Sequence, residues 1–367
     1  MDIRLDNAEK IIINAKDFGD FLAEVENNSD WKVLPTQNIK IISADKLAEN
    51  IDMSDYPLIQ DTMSNTGLAL KIKGENTIFQ LGSSSMSTLC ARAGISGPAL
   101  GHLSSKDLAN VLNKCLATRD NKLTLLRISY DKVRALHSGN NGSYTPLCIK
   151  DLFRVSENEM DSYEGSVFRF GYYSHSITQW RYCIKDEAIE NKYVEMFNRN
   201  GIRVSEIKPA ISITTSDTGH SSVSLSYSLE TKGSHIVFGD NIKIIHEGRV
   251  YIADFREAMQ EAFAGYKASL QDIDNLEYVE INHPIDCIKN IMTKYKFPKR
   301  TISKCVENYI GTFGEGRSNA LKVYVAGISS CIDDSNEKLT AKGRMSLEEK
   351  IAKILITDMS EYDYPEV

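Results

Sequence analysis

The spacing of apolar residues changes along this chain, and each change predicts a different kind of element. In the first 118 residues, short apolar runs alternate with helical patterns. Ile11-Ile12-Ile13, residues 39–42 and residues 68–72 predict short strands, the last ended by Gly74, and residues 18–25 predict a short helix. Serines 83–85 precede a capped helix that stops at Gly94. Leu108, Val111, Leu112, Cys115 and Leu116 then recur at i, i+3 and i+4, the stripe of an amphipathic helix.

From 123 to 252 the period drops to two. LTLLRIS and KVRALHS predict a hairpin turning at Tyr130-Asp131, and residues 211–214 and 223–229 alternate as half-buried strands do, with the turn-rich SDTGHS between them. Residues 236–238, 242–245 and 250–252 predict a continuing meander with bends at Gly239-Asp240 and Glu247-Gly248. A helix is expected over 188–198. Asp254, with Glu257 as its capping-box partner, opens a largely helical remainder, with further helices over 284–295, 301–310, 318–331 and 346–356. A glycine loop at 311–317, a polar connection at 333–342 and an acidic end without helix signal complete the chain. The expected fold class is α+β: a mainly antiparallel sheet flanked by helices, with a helical C-terminal region. The expected organisation is an N-terminal α+β region (1–118), a β-rich central domain (119–253), a helical region (254–357) and an acidic tail (358–367).

Composition narrows the function classes. The 367 residues are 42% hydrophobic and 25% charged, as in a globular chain, and the formal net charge of -7 lacks the overall basic footprint of a duplex-DNA binder. Seven scattered cysteines without a CxxC pair predict reduced thiols, which points to the cytoplasm. The first residues, MDIRLDNAEK, lack the apolar run of a signal peptide, and no run of about eighteen apolar residues predicts a membrane helix.

Against this acidic background, CIKNIMTKYKFPKRTISK (287–304) carries six positive charges and no carboxylate. Lys289, Lys294, Lys296, Lys299, Arg300 and Lys304 supply the charges, with Tyr295 and Phe297 between them. Cations that neutralise phosphate, beside rings that stack on bases, are what unpaired nucleic-acid strands require. A solvated helix face with Phe297 in the core explains the same pattern. Arg127, Lys132 and Arg134 are candidates for a second phosphate-tracking surface on one sheet face, with internal ion pairing as the alternative. Arg317, beside the loop GTFGEGR, is a further candidate backbone contact.

Asp217-Thr218-Gly219 matches the aspartic-protease triplet, yet it occurs once and has polar neighbours, so a hairpin turn explains it better. The seven histidines show no HxxxH or HxH spacing, and no GxSxG elbow is present. His235 and His246 could approach across a hairpin, but no nearby Cys completes a zinc set. No catalytic, metal or cofactor residue is nominated.

Four stretches carry a family resemblance. LCARAGISGPALGHL and LSSKDLANVLNKCLA, followed by LLRISYDKVRALHSGNNGSYTPLCIKDLF, resemble the phage- and plasmid-borne domain-of-unknown-function family nine-three-two. Leu89, Cys90, Arg92, Gly94 and Ile95 match its first motif. Leu125, Leu126, Arg127, Val133, Arg134, Ala135, Ser138, Tyr144, Pro146 and Leu147 match its second. ISITTSDTGHSSVSLSYSL resembles a later hairpin of the family through Ser216, Gly219, Ser221 and Ser222. Departures are the family's arginine before the tyrosine, replaced within GNNGSY, and its aspartate after the leucine, which is Cys148 here.

The resemblance implies a mobile-element setting in a bacterial host cell, and with it DNA replication, recombination or counter-defence. The expected function is therefore a single-stranded nucleic-acid-binding protein, with strand annealing or recombination as its activity and a homo-oligomer as its form. The acidic tail is the expected contact for a protein partner. The alternative is a virion or counter-defence interaction protein that binds no nucleic acid.

Overall fold

A computed structural model describes residues 2–48, 56–118, 122–140, 143–163, 165–231, 234–331 and 341–365. Two six-stranded sheets and a small two-stranded one organise the chain. In chain order the elements begin with β1 (Glu9–Ile12), α1 (Ala15–Asn27), β2 (Ser29–Pro35), β3 (Ile39–Ser43), α2 (Asp45–Ala48) and α3 (Pro57–Asn65). They continue through β4 (Leu68–Ile72), β5 (Ile78–Leu81), α4 (Met86–Ala93), α5 (Ser105–Ala117), β6 (Leu123–Ser129) and β7 (Lys132–Ser138). Then come α6 (Ile149–Asp161), β8 (Ser166–Ser174), β9 (Thr178–Ile184), α7 (Glu187–Arg199), β10 (Ile207–Thr215), β11 (Val223–Thr231) and β12 (Ser234–Ile244). The last part holds α8 (Ile252–Leu276), β13 (Glu280–Ile281), α9 (Pro284–Lys294), α10 (Lys299–Phe313), β14 (Ser318–Asn319), α11 (Ala320–Lys322) and α12 (Ala341–Leu355). This is the α+β class with a helical C-terminal region that the patterning predicts.

The first sheet runs β2-β6-β7-β5-β4-β3, antiparallel except for the β5–β7 pair. Its hairpin turns at Tyr130 and Asp131, both at positive φ (49° and 62°), which matches the right-handed twist of the flanking strands. The stripe of α5 packs Leu108, Leu112 and Leu116 with Leu89 of α4 onto Leu70, Leu126 and Leu136. The second sheet runs β1-β8-β9-β10-β11-β12 and is antiparallel throughout. The strict alternation of β10 and β11 sets Ile211 opposite Tyr227 and Ile213 opposite Leu225, all buried with Trp180, Phe238 and the apolar faces of α1, α6, α7 and α8. The C-terminal helices extend this same core through Ile288, Ile291, Tyr309 and Tyr324.

Several expectations are corrected. The boundary at 118/119 cuts through a sheet, because β6 and β7 lie in the middle of the first sheet while β1 joins the second. Gly239-Asp240 is no bend; β12 runs through it, and Gly239 takes φ +68° beside a register shift in the β11–β12 ladder. Residues 250–252 form no strand, since α8 begins at Ile252 and Asp254 accepts the Tyr251 N–H at 2.7 Å. The helix expected over 318–331 starts as β14 and α11 and continues as a π-helix, Val323–Ile328. Most of the polar connection at 333–342 lies outside the described residues. No described helix is long and apolar enough to cross a membrane.

Gly171 of β8 is the tightest backbone approach in the second core, where a Cβ would stand 2.4 Å from the Phe18 ring. Gly171→Ala is expected to lower unfolding free energy in urea by about 1–3 kcal/mol through overpacking. Gly101→Ala, with nothing within 4 Å of its Cβ, is expected to be neutral.

Candidate functional site

The sheet cations are buried, which corrects their expected place on an open sheet face. Arg127, Lys132 and Arg134 are 3%, 1% and 2% exposed. Each is held by carboxylates from distant parts of the chain. Asp6 accepts from Lys132 at 3.0 Å and from Arg134 Nη1 at 2.7 Å, and Asp61 of α3 takes Lys132 as well. Arg127 donates through Nε to Asp217 and through Nη2 to Glu26 of α1, both at 2.7 Å, and its guanidinium lies 5.1 Å from the Trp31 ring centroid. Burial alone would raise the Asp6 carboxyl, yet the Arg134 and Lys132 charges and the Ser83 N–H hold it below its usual value. These three cations therefore present no face to phosphate. They join the two sheets.

The joint is completed by rings. His137 stacks on Tyr144 with centroids 3.7 Å apart and planes 4° apart; His246 also stacks on Tyr144 at 5.2 Å, and Trp31 leans on both His137 and Tyr144. A carbonyl only accepts, so His137 donates from Nε2 to Asp217 O at 3.3 Å and His246 from Nδ1 to Thr145 O at 3.1 Å. His175 likewise donates from Nε2 to Ile3 O and Leu5 O, at 2.8 and 3.0 Å, and so ties the N-terminal segment to the second sheet.

The DTG triplet sits in this joint as the turn between β10 and β11. Asp217 is committed to Arg127, and Gly219 (φ +75°) brings its Cα so close to His137 that a Cβ would stand 3.0 Å from the ring. No group of three His, Cys, Asp or Glu among the described residues is placed to hold a metal. The side chain of His235 lies outside the described residues, so its approach to His246 does too. Of the residues quoted for the family resemblance, Arg127, Arg134, Tyr144 and Gly219 lie in this joint, while Arg92 and Ser216 make contacts within one sheet or the other. Arg92 donates to Thr124 Oγ1, Thr36 Oγ1 and Leu123 O, and Ser216 Oγ donates to Ser176 O at 2.6 Å. Asn141 and Gly142 of GNNGSY lie outside the described residues.

The second region is the corner between α9 and α10, built from CIKNIMTKYKFPKRTISK. α9 ends when Lys296 N bonds Thr293 O at 2.9 Å and Phe297 N bonds Met292 O at 3.0 Å, a paired closure that places Lys296 at φ +56°. The reversal drives Phe297 into the core at 6% exposure, under the Lys350 ammonium of α12. Tyr295 is half-buried, with its hydroxyl 2.7 Å from Thr357 Oγ1. Neither ring is offered to a base, which corrects the stacking role expected of Tyr295 and Phe297.

The cations divide. Lys289 is half-buried and pairs with Asp286 at 3.6 Å; Lys294 is engaged by the Tyr362 hydroxyl and ring. Lys296, Lys299 and Arg300 are exposed, and none of them forms an ion pair among the described residues. Lys304 is exposed further along α10. Two cations that sequence reasoning missed join the corner from α12: Lys350, whose Nζ reaches Lys296 O at 3.4 Å, and exposed Lys353, whose carbonyl lies 3.4 Å from the Tyr295 hydroxyl. Arg317 stands beyond the far end of α10, roughly 20 Å of helix away from Lys299, and does not join them.

The acidic tail, expected from the sequence to lack helix signal, holds a short 3-10 turn at Met359–Tyr362 and is docked through residue 365. Met359 and Tyr362 are buried, Asp363 accepts the N–H groups of Asn282 and His283 at 2.7 and 2.6 Å, and Asn290 Nδ2 reaches Tyr362 O and Tyr364 O at 3.1 and 3.0 Å. The tail thereby caps α9, whose N-terminus has no capping side chain of its own. Comparison with protein-family models, with curated proteins and with solved structures returned no match, so the family resemblance rests on the quoted residues alone.

The buried histidines give the joint a pH dependence. Burial pushes His137 and His175 down to about 4, against an ordinary value of 6.5. Between these values the unfolded chain binds protons that the folded chain refuses, so stability is full above about pH 6.5 and falls as pH drops towards 4. A loss on the order of a few kcal/mol is expected in urea titrations across that window. His137→Asn is expected to flatten the slope. A stability curve unchanged from pH 7 to 4 would show that these imidazoles are not held neutral.

Proposed function

We propose that the protein binds nucleic acid through the sugar–phosphate backbone, at the α9–α10 corner. The supporting observation is that Lys296, Lys299 and Arg300 stand exposed without a carboxylate partner among the described residues, next to Lys350 and Lys353, on a chain whose formal net charge is -7. Charge of one sign is thus collected against the background charge, where it meets phosphate rather than its own carboxylates.

Two local costs support the reading. Lys296 occupies a left-handed position at a helix C-terminus, where glycine is unstrained. Lys299 and Arg300 sit in the first turn of α10, which holds no acidic residue, so two cations face the positive end of the helix dipole. An anion over that turn meets both the cations and the free N–H groups. With Tyr295 and Phe297 withdrawn, the grip is electrostatic, tolerant of sequence and without base stacking. Strand annealing and a mobile-element role are compatible with such a grip and belong to the same proposal.

Fluorescence anisotropy with single-stranded and duplex oligonucleotides at a series of salt concentrations tests it. Five phosphate contacts give a log–log slope of roughly -3.5 on single strands. Lys296→Glu with Lys299→Glu and Arg300→Glu is expected to abolish binding, and Arg317→Glu to leave it nearly intact. Binding that survives the triple change, or is absent from the wild type at low salt, would refute the assignment. Lys296→Gly is expected to stabilise the fold by about 1 kcal/mol, by removing left-handed strain, while weakening binding.

A further inference from the structure

Exposed sheet edges invite pairing with another chain, and three of the four edges of the two large sheets are guarded. β12 is covered by α8 and α12. β3 is closed by one side chain: Asn113 accepts the Ile41 N–H at 2.9 Å and donates to Ile41 O at 2.7 Å, as a neighbouring strand would. β2 ends at Pro35 and carries Asp30 and Lys32, the latter paired with Glu75.

The fourth edge is β1, which lies at the end of the second sheet with β8 as its one strand neighbour. It leads through three consecutive isoleucines, of which Ile11 and Ile13 are 68% and 79% exposed. The single cation of β1, Lys10, lies over the Phe21 ring at 4.3 Å and does not shield them. Beside the strand is an open cleft of about 760 Å³, lined among others by Glu9, Ile11, Ile13, Arg169, Phe170 and Tyr172.

We propose that a second copy of this chain pairs along β1, antiparallel about a two-fold axis centred on Ile11, so that the two second sheets become one. The strand is self-complementary in this register. Ile11 meets its own equivalent, and Glu9 of one copy stands opposite Ile13 of the other. That places Glu9 of the partner subunit near Arg169, which is half-exposed and held by Glu230 only at 3.7 Å. The same two contacts repeat on the other side of the axis, as a two-fold interface requires. The remaining charges of the cleft are already paired, Arg181 with Glu230 at 2.8 Å and Arg344 with Glu348 at 3.2 Å, so the open face suits an apolar strand rather than a polyanion. This pairing does not depend on the nucleic-acid reading.

Sedimentation velocity on the full chain across the micromolar range tests the pairing. The wild type is expected at twice the mass of one chain. Ile11→Lys places like charges opposite each other at the axis and is expected to return the single-chain mass, with circular dichroism unchanged because the residue is exposed. Ile11→Cys is expected to form a cross-linked dimer on mild oxidation, while Ile13→Cys, opposite Glu9, and the wild type with its native thiols do not. A wild type that stays at single-chain mass overturns the proposal. So does a dimer that survives Ile11→Lys, or one that Ile11→Cys fails to cross-link.

Discussion

One carboxylate, that of Asp6, receives both Lys132 and Arg134 where almost no water reaches, and the arrangement of the two large sheets depends on it. Taking a charge out of water costs several kcal/mol per ion, and the attraction between partners offsets that only when every partner is in place. Here the carboxylates are in place because the N-terminal segment runs between the sheets, although Arg134 Nε and Arg127 Nη1 are buried without a hydrogen-bond partner. Asp6 accepts from the first sheet's cations and from Ser83 N, and three residues later the chain enters β1 of the second sheet. Arg127 repeats the device on the other side, bridging α1 and the β10–β11 turn. His175 and the Tyr144 ring stack fill the space between with neutral, hydrogen-bonded groups.

The constraint sorts the protein's cations into two populations. Those on β6 and β7 are spent on internal pairs and hold the architecture. At the α9–α10 corner, Lys296, Lys299 and Arg300 form no ion pair among the described residues and sit where the backbone and the helix dipole disfavour them. The docked tail stands between: it takes Lys294 out of the corner while capping α9, so the same segment that completes the helix also limits how far the cationic surface spreads. The corner and the β1 edge lie on different elements, so the proposed phosphate contact and the proposed pairing of two copies would use separate surfaces.

Much of this architecture was legible from residue order. Period-two alternation announced β10 and β11, the i, i+3, i+4 stripe announced α5, and the Tyr130-Asp131 turn fell where the hairpin was expected, because each signal is local. The fate of the cations was not local. Lys132 lies 126 residues from Asp6 and 71 from Asp61, and Arg127 lies 101 from Glu26 and 90 from Asp217, so no window of sequence holds both halves of a pair. The rings of the corner misled for another reason. Lysine–aromatic alternation looks the same whether the ring points out or in, and the left-handed turn at Lys296 that sends Phe297 inward occupies a residue type that gives no warning of it. Lys350 and Lys353 were invisible as site residues because they belong to a helix about fifty residues away from the corner they join.

Whether the buried ionic joint holds the sheets together is measured directly by a double-mutant cycle on Asp6→Asn and Lys132→Met, read by urea unfolding. The account predicts that each single change costs about 3–5 kcal/mol, since each strands a buried charge, and that the double change costs clearly less than their sum. Single changes that each cost under about 1 kcal/mol and simply add would contradict it.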